Sequence, residues 1–378
     1  MRRLGLYIHI PFCQQKCNYC DFYSFSADDK TKEEYINALC THIEIEAKAY
    51  KDCEFDTVYI GGGTPSILAP NLFGRLGNTI KKHLNLTQGA EFSIEINPGT
   101  LTEEKLLAYK KVGVNRLSIG LQSANDSELV ALGRIHTLGD FEKSYYLARE
   151  KGFDNISIDL MYGLPNQTRE AFLKTLKRVI EYNPEHISAY CLKIEDNTPF
   201  GRIRDTLTLP SEDEEYETYL SLVDTLEKNG YHQYEISNFS KTGKRSLHNM
   251  KYWLSHEYVA FGVGAHSYFD GKRFSYKPNV SEYVNSIQNG MLPNREYEDE
   301  NRHSLSKMDE YVMLRMRLSD GIDDSEFKKL FGEGFLSAYP KALTFISYKY
   351  IVHTDNGYRF TPKGFFVSNY ILTEILNF

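Results

Sequence analysis

Residues 7–25 read YIHIPFCQQKCNYCDFYSF, and the reading of this stretch decides the fold. The segment LYIHI is β-like, and Cys13, Cys17 and Cys20 follow in the loop after it. Two cysteines would suit a disulfide or a redox pair, and four would suit zinc. Three call for another account. Spacings of three and two residues let one short loop curl its thiolates around a small inorganic core. Zinc would want a fourth protein ligand, usually from a second C-x-x-C pair, and the chain has none. His9 lies in the strand and Asp21 adjoins Cys20 awkwardly, so neither fills that place well. A four-iron cluster on three thiolates leaves one iron open for something else, and the count of three favours it.

The surrounding composition fits an intracellular protein. The chain has 378 residues, enough for one large domain and a smaller one. Its 41% hydrophobic and 25% charged content is ordinary for a soluble globular protein. A formal net charge of −7 gives no electrostatic case for nucleic acid or an anionic membrane as main partner. No apolar run is long enough to span a bilayer, so no obligatory membrane insertion is expected. The opening MRRLGLYIHIP resembles a signal peptide only briefly, because it runs into His9, Pro11 and the cysteines without a small-residue cleavage site. A cytoplasmic, reducing location is expected, where clustered cysteines more often bind metal than form disulfides. Cys40, Cys53 and Cys191 are scattered and read as small buried hydrophobes.

Strand-like and helix-like segments alternate through the first two-thirds. LYIHI, DTVYIGGG, AEFSIEIN, VNRLSIGLQS, FDNISIDLMYGLP and EHISAYCLKI read as strands, each followed by helical sequence. SEDEEYETYLSLVDTLEKNG has an acidic first turn and Ser211 as a plausible cap. About six such repeats imply a parallel α/β sheet, open or closing into a barrel. Glycines and polar residues gather just after the strands, at the edge where α/β folds build sites. From about residue 240 the pattern changes to loops rich in Tyr, Gly and His. From about 302 helices return, with a hairpin turning at Asp355–Asn356–Gly357 and a final helix. This tail reads as a small winged-helix-like domain. Residues 301–378 carry 10 Lys and Arg against 9 Asp and Glu, too even for a DNA-reading face, so a structural or lid role is expected. The expected division is 1–238 core, 239–301 connection and 302–378 C-terminal domain.

C-x-x-x-C-x-x-C after the first strand, with Tyr19 before the third cysteine, resembles the radical S-adenosylmethionine superfamily. The resemblance covers roughly residues 5–238 and implies a partial (βα)6 barrel. It also implies that the open iron of a [4Fe-4S] cluster is chelated by the amino and carboxylate groups of S-adenosylmethionine. One electron from the cluster, itself reduced by an external donor, then cleaves the sulfonium to methionine and a 5′-deoxyadenosyl radical. GGGTPS, with Gly62, Gly63 and Thr64, resembles the family segment that meets the methionine amino group, where glycine lets backbone carbonyls approach closely. By itself such a run could be only a turn. Glu95 and Asp159 end otherwise apolar strands, where a carboxylate needs a partner: ligand hydroxyls, an ammonium, or a salt bridge inside the barrel. Gln122 and Arg134 match polar contacts of the family, the guanidinium suiting a carboxylate. Tyr7 matches the aromatic ahead of the first cysteine.

More narrowly, YIHIPFC, GGGTPS, GLQS and IDLMYGLP resemble the anaerobic coproporphyrinogen III oxidase family. Oxidases of that family resemble C-x-x-x-C-x-x-C-x-C and carry an extension ahead of the first strand. Here Phe22 stands at the fourth position and the first strand starts within ten residues, so oxidase activity is not expected. The resemblance then passes to the heme chaperones of the family, through HNMKYW at His248–Trp253. It implies binding of heme and its transfer to an acceptor protein. His248 is a candidate iron ligand, Tyr252 and Trp253 offer flat faces to a porphyrin, and His266 in GVGAHSY is a second candidate. Residue types alone favour His248 as a loop cap and Trp253 as an anchor of the domain junction, and the motif resemblance reverses that preference.

Overall fold

Each strand that carries the site is apolar on one side and polar on the other. In Arg116–Gln122, Leu117, Ile119 and Leu121 are fully buried, whereas Ser118, Gly120 and Gln122 face a cavity. This period-two split packs one face under helices and leaves the other for chemistry. The computed structural model describes residues 1–298 and 305–376.

The first half repeats strand and helix in the order β1 (Arg2–Ile10), α1 (Asp29–Glu46), β2 (Cys53–Gly62), α2 (Pro70–His83), β3 (Leu86–Ile96), α3 (Glu103–Val112) and β4 (Arg116–Gln122). It continues with α4 (Asp126–Ala131), α5 (Leu138–Glu150), β5 (Ile156–Tyr162), α6 (Arg169–Glu181) and β6 (His186–Cys191). Strands β1 to β6 pair in parallel and in sequence, the expected partial barrel. Helix starts follow their caps. Thr102, Thr137 and Thr168 accept backbone N–H groups at α3, α5 and α6, and Gly113 ends α3 at φ 107°.

After α7 (Pro199–Arg202) and α8 (Glu212–Lys228), β7 (His232–Gln233) and β8 (Asn238–Ser240) add antiparallel strands beyond β6. Ser211 caps α8, with Glu214 reaching back to its backbone N–H in a full capping box. The stretch expected as loops from about 240 is a correction. It forms α9 (Leu247–Trp253), β9 (Tyr258–Phe261), β10 (His266–Phe269), β11 (Lys272–Tyr276), α10 (Val280–Gln288) and β12 (Arg295–Tyr297). Strand β9 pairs in parallel with β1, and β10 to β12 follow antiparallel. The twelve strands therefore make one open sheet, β12-β11-β10-β9-β1-β2-β3-β4-β5-β6-β8-β7. Strands this short carry too few alternations to be told from loops.

The C-terminal part contains α11 (Lys307–Arg315), β13 (Ile322–Asp323), α12 (Asp324–Phe331), α13 (Phe335–Ala338), α14 (Ala342–Ser347), β14 (Ile351–His353), β15 (Gly357–Phe360), α15 (Pro362–Phe366) and α16 (Ser368–Leu376). Its strands form a separate antiparallel sheet, β13-β15-β14, with the hairpin at the expected turn. Among the described residues, no helix is long and apolar enough to cross a membrane.

Candidate functional site

The loop after β1 is clamped at both ends. At its base, Cys13 N–H donates to the Phe25 carbonyl (2.9 Å) and Phe25 N–H to Pro11 (3.0 Å), while Phe12 packs edge-on against Phe25 and Tyr35. At its tip, Asn18 donates from its backbone to the Leu132 carbonyl and from its side chain to Ala131, and accepts from Phe200 N–H. The loop is thus tied to the end of α4 and to α7. Cys13, Cys17 and Cys20 all line one cavity of about 450 Å³ at the C-terminal edge of the parallel strands. All six cysteines are free thiols.

The donors around the sulfurs suit thiolates. Thr64 Oγ1 donates to Cys13 Sγ (3.3 Å) and Arg134 Nη1 to Cys17 Sγ (3.5 Å). Burial pushes the Cys20 thiol pKa up. Among the described residues no trio of His, Cys, Asp or Glu is gathered as a single metal ion would need. Three thiols lining one cavity are the donor set that a [4Fe-4S] cluster with one open iron would take.

The glycine strip ends β2 against this loop. Gly63 N–H donates to the Ile10 carbonyl and Thr64 N–H to Phe12, both at 2.8 Å. Gly62 has φ 112°, and a Cβ there would lie 2.5 Å from the His9 ring; one at Gly63 would lie 2.7 Å from the Phe12 carbonyl. Only glycine permits both approaches. Gly62 N–H and Tyr59 OH donate to the two oxygens of Glu95, at 3.0 and 2.9 Å. Burial raises the Glu95 carboxyl to about 7, against these two hydrogen bonds that favour its anion. Asp159 is raised mainly by burial too, and accepts from Ser118 (3.0 Å) and Ser157 (3.3 Å).

Gln122 follows a register shift in β4 and has φ 72°, a region non-glycine residues seldom enter. Arg134 donates to Asn97 Oδ1 (2.6 Å) and the Gly120 carbonyl (2.8 Å), while its buried Nε has no partner among the described residues. A buried guanidinium N–H without a partner is a donor left for a ligand acceptor or water. The cavity therefore gathers Tyr19, Gly62, Gly63, Thr64, Glu95, Gln122, Arg134 and Asp159 with the three cysteines.

Three candidates fall elsewhere. Tyr7 stands outside the cavity lining, between Tyr59 (ring centroids 6.3 Å apart) and His9, whose Nδ1 it meets at 3.1 Å. His248 is fully buried beneath β2, its Nδ1 paired with Thr57 Oγ1 (2.9 Å) and its Nε2 with Tyr252 OH (2.8 Å). Burial lowers its pKa to about 3. Both ring nitrogens of His248 are thus engaged within the protein. His266 is exposed in a different cleft, with Tyr252 and His256. Within HNMKYW it is Asn249 that reaches the cysteine cavity.

The cavity also holds residues that the motifs did not single out: Tyr59, Asn97, Arg116, His186, Ser188 and Tyr190. The signal was present in the alternation of HISAYC, whose polar residues all fall on one face of β6. Arg116 is fully buried, and its Nε lacks a partner among the described residues.

Comparison with known proteins gives the context. A family model described as the Radical SAM superfamily matches residues 7–179, and one described as the HemN C-terminal domain matches 304–367. The chain is 34% identical over 374 residues to a heme chaperone HemW of Bacillus subtilis (strain 168), covering 98% of both chains. It is 35% identical over 384 residues to that of Haemophilus influenzae, covering 99% of this chain and 98% of the relative. Among solved structures, coproporphyrinogen III oxidase HemN from Escherichia coli, described as a radical SAM enzyme, superposes with a TM-score of 0.83. That match spans 98% of this chain and 89% of the other at 24% identity, and speaks for the fold.

Proposed function

The chain belongs to the family of HemW heme chaperones within the radical SAM superfamily, and from that premise we propose that it is a heme chaperone carrying a [4Fe-4S] cluster and S-adenosylmethionine. Cys13, Cys17 and Cys20 hold the cluster. The methionine end of the cofactor meets Gly62–Thr64, with Arg134 at its carboxylate, and Glu95, Gln122 and Asp159 take its remaining polar groups. Heme is bound and passed to an acceptor protein, and an external reductant serves the cluster. With six free cysteines, the cytoplasm is the proposed location.

The observation that carries this reading is the shared cavity. Three thiols from one loop and five polar positions from separate strands and the loops that follow them converge on about 450 Å³. Cys13, Cys17 and Cys20 would hold a cluster whose open iron would supply one-electron reduction of S-adenosylmethionine. The protein's own part is to fix the thiols, present the uncommitted Arg134 Nε–H, and hold the Glu95 carboxyl near a pKa of about 7, where it can accept or donate a hydrogen bond.

Anaerobic reconstitution with iron, sulfide and heme tests the proposal. About four irons per chain are expected. Ala at Cys13, Cys17 or Cys20 should abolish the iron–sulfur absorption, while Ala at Cys40, Cys53 or Cys191 should not. Heme should bind near one per chain, and coproporphyrinogen III should not be decarboxylated. Catalytic decarboxylation by the wild type would replace the chaperone reading with that of an oxidase.

A further inference from the structure

His248 is buried with both ring nitrogens paired, so the exposed imidazoles near its motif are the accessible ones. Helix α9 ends just beyond the motif, where Ser255 turns the chain at φ 53° and His256 N–H donates to the Lys251 carbonyl at 2.8 Å. This turn brings His256 out into a cleft of about 380 Å³ between the β9–β11 ribbon and α11. His266, at the start of β10, lines the same cleft. Both imidazoles are exposed, and neither has a side-chain hydrogen-bond partner among the described residues.

The walls suit a flat macrocycle. Tyr252, Tyr258 and Tyr268 line the sheet side, and Met313 and Leu314 of α11 face them. Tyr252 and Tyr258 meet edge to face with centroids 4.6 Å apart, and both line the cleft. Arg273 lies over Tyr268 and is already ion-paired with Glu310 and Glu298. Recognition here thus rests on imidazole and ring faces and not on a free cation for propionates. The volume lies within the roughly 300–1,000 Å³ usual for cofactor sites.

The buried motif joins this cleft to the cysteine cavity. Glu95 accepts from Tyr59 at 2.9 Å, Tyr59 stacks on His248 at 5.3 Å, and His248 meets Tyr252 at 2.8 Å. HNMKYW is thereby the wall between two sites, contributing Asn249 to one and Tyr252 to the other. We propose that this cleft is the heme-binding site and that His256 or His266 ligates the iron, a proposal that rests on the heme reading above.

The test is titration of the full chain with ferric heme, read by optical absorbance, for wild type, His256→Ala, His266→Ala, the double variant and His248→Gln. The double variant should lose the imidazole-ligated spectrum and bind at least about tenfold more weakly. Its iron–sulfur content should stay intact, and added free imidazole should restore the spectrum. One of the single variants should reproduce the loss, and His248→Gln should keep the ligand spectrum. A double variant with unaltered spectrum and affinity would overturn the cleft and leave the chaperone reading standing. A wild type that binds no heme would overturn both.

Discussion

Glu95 shows how much a single buried carboxyl sets the terms of the cofactor cavity. Its pKa is raised from 4.5 to about 7, with burial the main cause. Below pH 4.5 the group is protonated in folded and unfolded chains alike, so it adds no penalty. Between there and about pH 7 only the unfolded chain ionises. Stability of the ligand-free protein is therefore lost as pH rises, at ~1.4 kcal/mol per unit for this group, and the loss is complete above the folded pKa. Glu95→Gln removes the ionisation. Thermal melts should show the variant gaining on wild type at pH 8 relative to pH 5. An equal difference at both pH values would mean the carboxyl is not held neutral. Glu95 was legible in the sequence because an acid in FSIEIN breaks an apolar pattern, as Asp159 does in ISIDLMYG. The surroundings of His248 were not legible for a physical reason: residue type cannot tell an exposed imidazole from one whose two nitrogens meet Thr57 and Tyr252.

At the scale of elements, β1 to β6 and their helices were legible because each is long enough to display its period, whereas β9 to β12 run only three to five residues. Helix α2 shows what periodicity leaves unsaid. It carries two glycines, three residues apart, that the sequence presents as equivalent. A Cβ at Gly74 would meet nothing within 4 Å, whereas one at Gly77 would fall among the methyl groups of Val112 on α3. Gly74→Ala should therefore stabilise the protein by about 0.5–1 kcal/mol through helix propensity and a less flexible unfolded chain. Gly77→Ala should destabilise it by about 1–3 kcal/mol, since the two helices must separate. Denaturant unfolding of the two variants measures both. Opposite signs are the expected outcome, and the same sign would mean that α2 and α3 do not pack this closely.

At the scale of the whole molecule, the question is what holds the C-terminal part to the sheet. Backbone contacts define the seam: Ser319 N–H donates to the Tyr234 carbonyl (3.0 Å), and Glu235 and Leu318 form an antiparallel bridge. Two kinds of side-chain contact reinforce it. Arg245 pairs with Asp320 at 2.6 Å, with side chains 38% and 60% exposed. Phe366 of α15 packs against Tyr216 and Tyr219 of α8, with ring centroids 5.2 and 5.8 Å apart. An exposed pair is screened by water and is worth roughly 0–1 kcal/mol, while a half-buried aromatic loses dispersion and burial together when truncated. Asp320→Asn should leave unfolding nearly unchanged, and Phe366→Ala should cost about 1–3 kcal/mol, below the full core value because the ring is only partly buried. Helix α11 belongs to this C-terminal part and forms one wall of the histidine cleft. Phe366→Ala should thus loosen heme binding more than Asp320→Asn does, with the iron–sulfur absorption unchanged in both, because the cysteine loop is clamped by Phe25, α4 and α7. Heme titration of the two variants beside their unfolding curves measures this, and a larger loss in Asp320→Asn would show that charge, not aromatic packing, holds the parts together.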